Sequence, residues 1–290
     1  MKNVLLFFSL VSGISSAVSQ GVLKESLKLQ SRIMDMEVEY SIYFPEGYDT
    51  SNRRYPVLYL LHGYTDDETG WTQFGQVKPI ADEYVDDPGI SPMLIVMPDA
   101  GETWYVNTYD NKVRYEDFFV QEFIPFIDES YRTRPTKEFR AVAGLSMGGY
   151  GALVYALKHP DMFSASAPLS AAIFTEEEMM EMKQKRWDDV FGEIYGTGLN
   201  GRARITDHYR ENAPLLWIAD NDKDNHDDVK YYIDCGDKDF LIKANMELHA
   251  LMIDKGVPHE FRVREGDHSW SYWRSALPEV LRFVSAGFHR

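Results

Sequence analysis

Residues 139–157 constrain the fold more tightly than any other part of the chain. An apolar run, 139–143, passes almost directly into a helix pattern, 149–157, with glycines at 144, 148, 149 and 151. A strand that turns into a helix about one residue strains that residue's backbone and crowds the positions two before and two after it. Only residues without side chains fit there, hence Gly144 and Gly148 around Ser146. Gly149, Gly151 and Ala152 then let the helix lie close against a sheet.

The rest of the chain has the elements that such a sheet needs. Residues 57–61, 94–97 and 231–235 are short continuous apolar runs, with 261–263 a shorter one. Strands covered on both faces look like this, as in the middle of a parallel sheet. Residues 37–44 instead alternate, with Val38, Tyr40, Ile42 and Phe44 on one face, which predicts a half-buried antiparallel strand. Helical patterns occupy 115–131, 241–255 and 275–288. Strands and helices alternating at this spacing predict a doubly wound, mostly parallel α/β sheet. No repeat or low-complexity linker divides it, so 20–290 is expected to be a single domain. The charged, loop-rich segment 175–230 is expected as an insertion over the strands' carboxyl ends, where open α/β sheets bind ligands.

Composition narrows the function classes. The chain has 290 residues with 30 Lys and Arg against 46 Asp and Glu, a formal charge of −16. Such a surface repels nucleic-acid backbones and anionic lipid, so neither a nucleic-acid partner nor stable membrane association is expected. A single cysteine, Cys235, excludes an internal disulfide and multi-cysteine metal sites; at the end of an apolar strand it reads as packing. Residues 220–228 alternate acids as a calcium loop does. They have Asn225 where such a loop needs Gly and Tyr231 where it needs the bidentate Glu, so they read as a solvated acidic loop. No metal and no cofactor is expected. At the other end, Lys2, the apolar run Val4 to Val11 and the small residues before Ser19 form the three-part pattern of a secretory signal, with cleavage expected after Ser19. The run is shorter than the roughly 20 residues that span a bilayer. A secreted or periplasmic location follows as an expectation.

Ser146, strained and projecting at a helix N-terminus, is placed to act as a nucleophile once a base takes its proton. With this turn the acid and then the histidine follow the serine in sequence. Of eight histidines, His62 and His159 lie too early or on the elbow helix, and His208 and His226 fall in the insertion. His249 is mid-helix, and His289 is next to the C-terminus. His259 precedes the last strand, whereas His268 follows it, at the carboxyl end; His268 is the expected base. The loop after the 231–235 strand carries both Asp237 and Asp239, which spacing alone does not separate. Asp239 precedes Phe240 and Leu241, which could hold and shield a carboxylate, and is preferred. Two N–H groups are needed for an oxyanion, and those of Met147 and Tyr64 are expected, with Gly63 letting the loop turn inward.

These blocks resemble the esterase D-like α/β-hydrolases, including carbohydrate esterase family 1. The resemblance rests on Gly144-Leu145-Ser146-Met147-Gly148-Gly149-Tyr150-Gly151, Leu61-His62-Gly63, residues 97–101, Cys235-Gly236-Asp237-Lys238-Asp239 and Gly266-Asp267-His268-Ser269, in the same order. It implies a cofactor-free serine ester hydrolase, and its acid position maps onto Asp239. Trp71, Trp104, Tyr105, Trp270, Tyr272 and Trp273 fall on loops assigned to the site's face. They are expected to stack on a sugar or phenolic acyl group, which favours feruloyl or acetyl esters of plant xylan. An S-formylglutathione hydrolase or small-acyl esterase, an acyltransferase, and a catalytically silent carbohydrate-binding hydrolase fold are the alternatives.

Overall fold

The computed structural model describes residues 20–84, 87–220 and 229–288. The expected leader, 1–19, and residues 221–228 of the acidic loop lie outside the described residues. Eight strands form one sheet: β1 (Val22–Gln30), β2 (Glu37–Phe44), β3 (Val57–Leu61), β4 (Leu94–Pro98), β5 (Arg140–Leu145), β6 (Ala165–Leu169), β7 (Lys230–Gly236) and β8 (His259–Arg264). Their order is β1-β2-β4-β3-β5-β6-β7-β8. β1 and β2 are antiparallel, β2 meets β4 antiparallel, and every other pairing is parallel. The six strands β3 to β8 therefore bring their carboxyl ends to one edge.

Side chains alternate across the sheet into two apolar layers. Tyr59, Leu61, Val96 and Val142 point into one, with Phe119, Phe123, Leu153, Tyr155 and Leu248 from the covering helices. Leu58, Leu60, Ile95, Ala143 and Leu145 point into the other, against Trp273, Leu277, Val280 and Val284 of the helix Trp270–Phe288. Burial on both faces explains the unbroken apolar runs of β3, β4 and β5, and the expected doubly wound α/β sheet is the one observed.

Two strands escaped the sequence pattern. β6 reads Ala-Ser-Ala-Pro-Leu, small residues with a proline opposite Gly144. Such a strand lacks the β-branched and aromatic residues that mark strands. β1 carries a register shift between Lys24 and Leu27, with Ser26 at φ 51°, so its alternation is interrupted. The half-burial expected of β2 is corrected: Ser41 and Tyr43 are buried as well. The helix Val77–Glu83 covers that second face, and the Tyr43 hydroxyl donates to its Asp82 at 2.9 Å.

The insertion is more ordered than a loop. Between 175 and 220 it holds the helices Glu176–Glu181, Gln184–Val190, Gly192–Tyr195, Asp207–Glu211 and Pro214–Asp220. Trp187 anchors them, with Arg204 packed on its face and donating to the carbonyls of Met179, Met182 and Leu199. This small core sits over the carboxyl ends: Asp189 and Val190 carbonyls accept from Tyr64 and Trp104 of the β3 and β4 loops.

Candidate active site

Ser146 follows β5 and is the turn residue before the helix Met147–Lys158. Its φ of 53° and ψ of −116° lie in a region that costs a side-chain-bearing residue about 1–3 kcal/mol. Three backbone hydrogen bonds hold it there: its N–H donates to Leu169 O (2.9 Å), and its carbonyl accepts from Tyr150 (3.0 Å) and Ala172 (2.9 Å). The elbow's glycines are sterically required. A Cβ on Gly144 would stand 2.5 Å from Gly148 backbone atoms, and one on Gly151 would stand 2.7 Å from the Tyr105 ring.

The strands' common direction brings the loops together. His268, after β8, has Nε2 3.0 Å from Ser146 Oγ and Nδ1 2.9 Å from Asp239 Oδ2. With Nδ1–H donating to the carboxylate, Nε2 presents its lone pair to the serine hydroxyl. Asp239 is 2% exposed, and its other oxygen accepts from Leu241 N–H at 2.9 Å. Burial pushes the Asp239 carboxyl up, but the His268 and Leu241 hydrogen bonds outweigh it and hold the group below its ordinary value. Asp237 is exposed and faces elsewhere: Oδ1 accepts from Gly266 N–H at 3.0 Å, tying the acid loop to the histidine loop.

Met147 opens its helix, so its N–H has no intrahelical acceptor. Tyr64 follows Gly63, where a Cβ would lie 2.7 Å from Leu145 Cδ1 and 3.7 Å from Ser146 Cβ. The loop thus lies against Ser146. His62, set aside as the base because it precedes the serine in sequence, governs the loop's orientation. Ala100 N–H donates to its Nε2 at 2.9 Å, so the ring proton sits on Nδ1, which donates to Gly63 O at 2.8 Å. Asp99 Oδ1 is farther from Nε2, at 3.5 Å, and the Ala100 amide already occupies that lone pair. In a trans peptide N–H and C=O point oppositely, so this bond directs the Tyr64 N–H away from His62.

The expected aromatic platform is corrected. Trp71 is 1% exposed with Nε1 donating to Leu61 O, and Tyr105 is fully buried with its hydroxyl donating to His62 O. Trp104 packs between Tyr150 and Phe191, and the Tyr272 hydroxyl donates to buried Asp234. Trp273 donates to Ser170 Oγ and sets its edge against the His268 ring. These rings are buried because their polar atoms find partners inside. Trp270 alone of the group is partly exposed. Phe240, expected to shield Asp239, is instead a surface ring: it is 65% exposed and its centroid lies 4.7 Å from that of His268. With the apolar Ile173 and Met182 and the charged Glu178, Lys183 and Arg186, it lines an open groove of about 580 Å³ beside the Asp239 and His268 loops.

Among the described residues no group of three or more His, Cys, Asp or Glu side chains is placed to hold a metal ion, and no helix is long and apolar enough to cross a membrane.

Comparison with known proteins places the fold and the family. A solved ferulic acid esterase is 34% identical and superposes with a TM-score of 0.78, covering 93% of this chain and all of that one. The S-formylglutathione hydrolase FrmB of Staphylococcus aureus, at 24% identity and a TM-score of 0.75 over 92% of this chain and 100% of that one, shares the α/β-hydrolase fold. Esterase Rv1288 of Mycobacterium tuberculosis is 29% identical over 247 residues, 79% of this chain and 52% of that protein; the chain spans about half the length of this curated relative. The Esterase family model matches residues 31–284, nearly the whole described chain, and the protein belongs to that family.

Proposed function

We propose that this protein is a serine carboxylic-ester hydrolase. The observation that carries the reading is the unbroken path Ser146 Oγ–His268 Nε2 and His268 Nδ1–Asp239, at 3.0 and 2.9 Å. His268 takes the Ser146 proton as Oγ attacks the ester carbonyl, and Asp239 holds the ring and stabilises the imidazolium. The Met147 and Tyr64 N–H groups receive the oxyanion. The alcohol leaves with the proton from His268, and water repeats the sequence to release the acid. The exposed ring of Phe240 and the partly exposed ring of Trp270 are the aromatic surfaces left for substrate, Phe240 at the edge of a groove that charged side chains also line.

The preferred substrates in this reading are feruloyl or acetyl esters of plant xylan, and similarity to a ferulic acid esterase supports that choice. The leader pattern adds export from the cytoplasm to the proposal. Initial rates on methyl ferulate, acetylated xylan, 4-nitrophenyl acetate and S-formylglutathione test it. Preference for one of the first two is expected, whereas preference for the thioester would replace the xylan reading with a formylglutathione hydrolase.

A further inference from the structure

Three consecutive acids follow the Gly63–Tyr64 turn, and two are occupied. Asp67 Oδ1 accepts from the Thr69 N–H at 2.8 Å and hydroxyl at 2.6 Å, and Glu68 accepts from the Ser26 hydroxyl at 2.6 Å. Asp66 differs. It is half-buried, and the donor that reaches its carboxylate is the Gly63 backbone N–H, not a side chain. Burial pushes its carboxyl up, and neither His62 nor the Gly63 amide cancels that effect.

Two glycines locate this carboxylate. The point where a Cβ on Gly63 would lie is 3.3 Å from Asp66 Oδ2 and 3.7 Å from Ser146 Cβ. The corresponding point on Gly70 is 3.4 Å from Asp66 Cβ and 3.4 Å from Trp270 Cζ2. Carboxylate, nucleophile and indole therefore border one another across two positions that lack side chains. Phe74, half exposed, extends the indole's apolar surface, with ring centroids 5.9 Å apart.

We propose that Asp66 and Trp270 form a subsite for a sugar ring in the alcohol part of the ester, with Asp66 accepting a hydrogen bond from a hydroxyl adjacent to the ester oxygen. The proposal rests on Ser146 being the nucleophile. Asp66 keeps lone pairs beyond the one directed at the Gly63 amide, which hydroxyl donors would satisfy, and the partly exposed indole beside it offers apolar surface to a sugar. Span decides between the two halves of the substrate. A vicinal hydroxyl lies two carbons from the ester oxygen, a span that fits the separation of at most about 7 Å that the Gly63 point sets between Ser146 Cβ and Asp66 Oδ2. The para-hydroxyl of a hydroxycinnamoyl group is separated from its carbonyl by a vinyl group and a whole ring, too far for that gap.

The test is the ratio of kcat/KM for 2-hydroxyethyl acetate over propyl acetate, two esters of matched size that differ in one hydroxyl. The wild type is expected to favour the hydroxyl ester about tenfold, the scale of a hydrogen bond to a charged acceptor. Asp66→Ala should bring the ratio to about one or below, and Asp66→Asn should keep part of it. Because the ratio is internal, partial misfolding of a variant does not alter it. A wild-type ratio near one, or the same ratio in Asp66→Ala, overturns the subsite and leaves the esterase reading standing. Preference for the trimethylammonioethyl ester over the hydroxyethyl ester also overturns it, in favour of a cation site. Failure of the wild type to hydrolyse any of these esters, with Ser146 unlabelled by a fluorophosphonate, removes the esterase reading and the subsite together.

Discussion

A Cβ on Gly148 would stand 2.4 Å from the carbonyl oxygen of Leu61. The elbow helix and the end of β3 are thus in backbone contact, and that contact sets how closely the loop after β3 approaches Ser146. His62 O would be only 2.6 Å from the same Cβ, so no side-chain rotation relieves the clash.

Gly148→Ala is therefore expected to cost at least about 1–3 kcal/mol, because overpacking here must move backbone. Gly287→Ala, whose Cβ would meet Ser164 Oγ at an ordinary 3.6 Å inside the last helix, should gain roughly 0.5–1 kcal/mol. Thermal denaturation checks both signs; equal melting temperatures for the two variants would refute the steric argument.

His62→Ala should lower kcat by about 10²–10³ while KM changes little, since it frees the peptide whose N–H receives the oxyanion and leaves the substrate-binding surfaces intact. A phosphonate transition-state mimic should lose affinity in step with kcat. If KM rises instead and kcat holds, His62 supports binding and not the oxyanion.

Much of this site was legible because its chemistry sits where strands end. Ser146, Asp239 and His268 each follow a β-strand in the parallel part of the sheet, and apolar runs mark such strands in the amino-acid sequence itself. The steric demand at Gly144 and Gly148 is local and can be read from spacing. What escaped depends on burial and on partners distant in sequence. Trp71, in the short helix Gly70–Gln73, and Tyr105, on a loop, are both buried, and Leu61 and His62 carbonyls accept their polar atoms. Asp66 became distinguishable from Asp67 and Glu68 only when the donors to each were known. β6 escaped because a strand packed against the elbow helix needs small residues, and small residues carry no strand signal.

Stability should fall as pH drops below about 4, the ordinary carboxylate range. Burial raises the Glu116 carboxyl, but hydrogen bonds and charge from His159 and Lys158 leave it below its ordinary value, and Asp239 behaves likewise. A carboxyl depressed in the folded state contributes stability above its unfolded pKa and loses it as pH falls through the folded one. Urea denaturation at pH 7 and pH 3 should therefore show a smaller difference for Glu116→Gln than for the wild type. An undiminished difference would show that this cluster does not drive acid sensitivity.

Cys235 is fully buried, and burial together with the Asp239 charge pushes its thiol up to about 12. The native protein should resist iodoacetamide at pH 8 and react after unfolding in urea, as mass spectrometry can follow. Rapid alkylation of the native state would contradict the packing of β7.

The most direct test of the proposed mechanism is a kinetic cycle on 4-nitrophenyl acetate with Ser146→Ala, His268→Ala and the double variant, each checked for native melting. If the two side chains act as one unit, each single change lowers kcat by about 10⁴ or more and the double variant is no slower than the singles. Losses that multiply in the double variant, or a single variant close to the wild-type rate, would contradict the account.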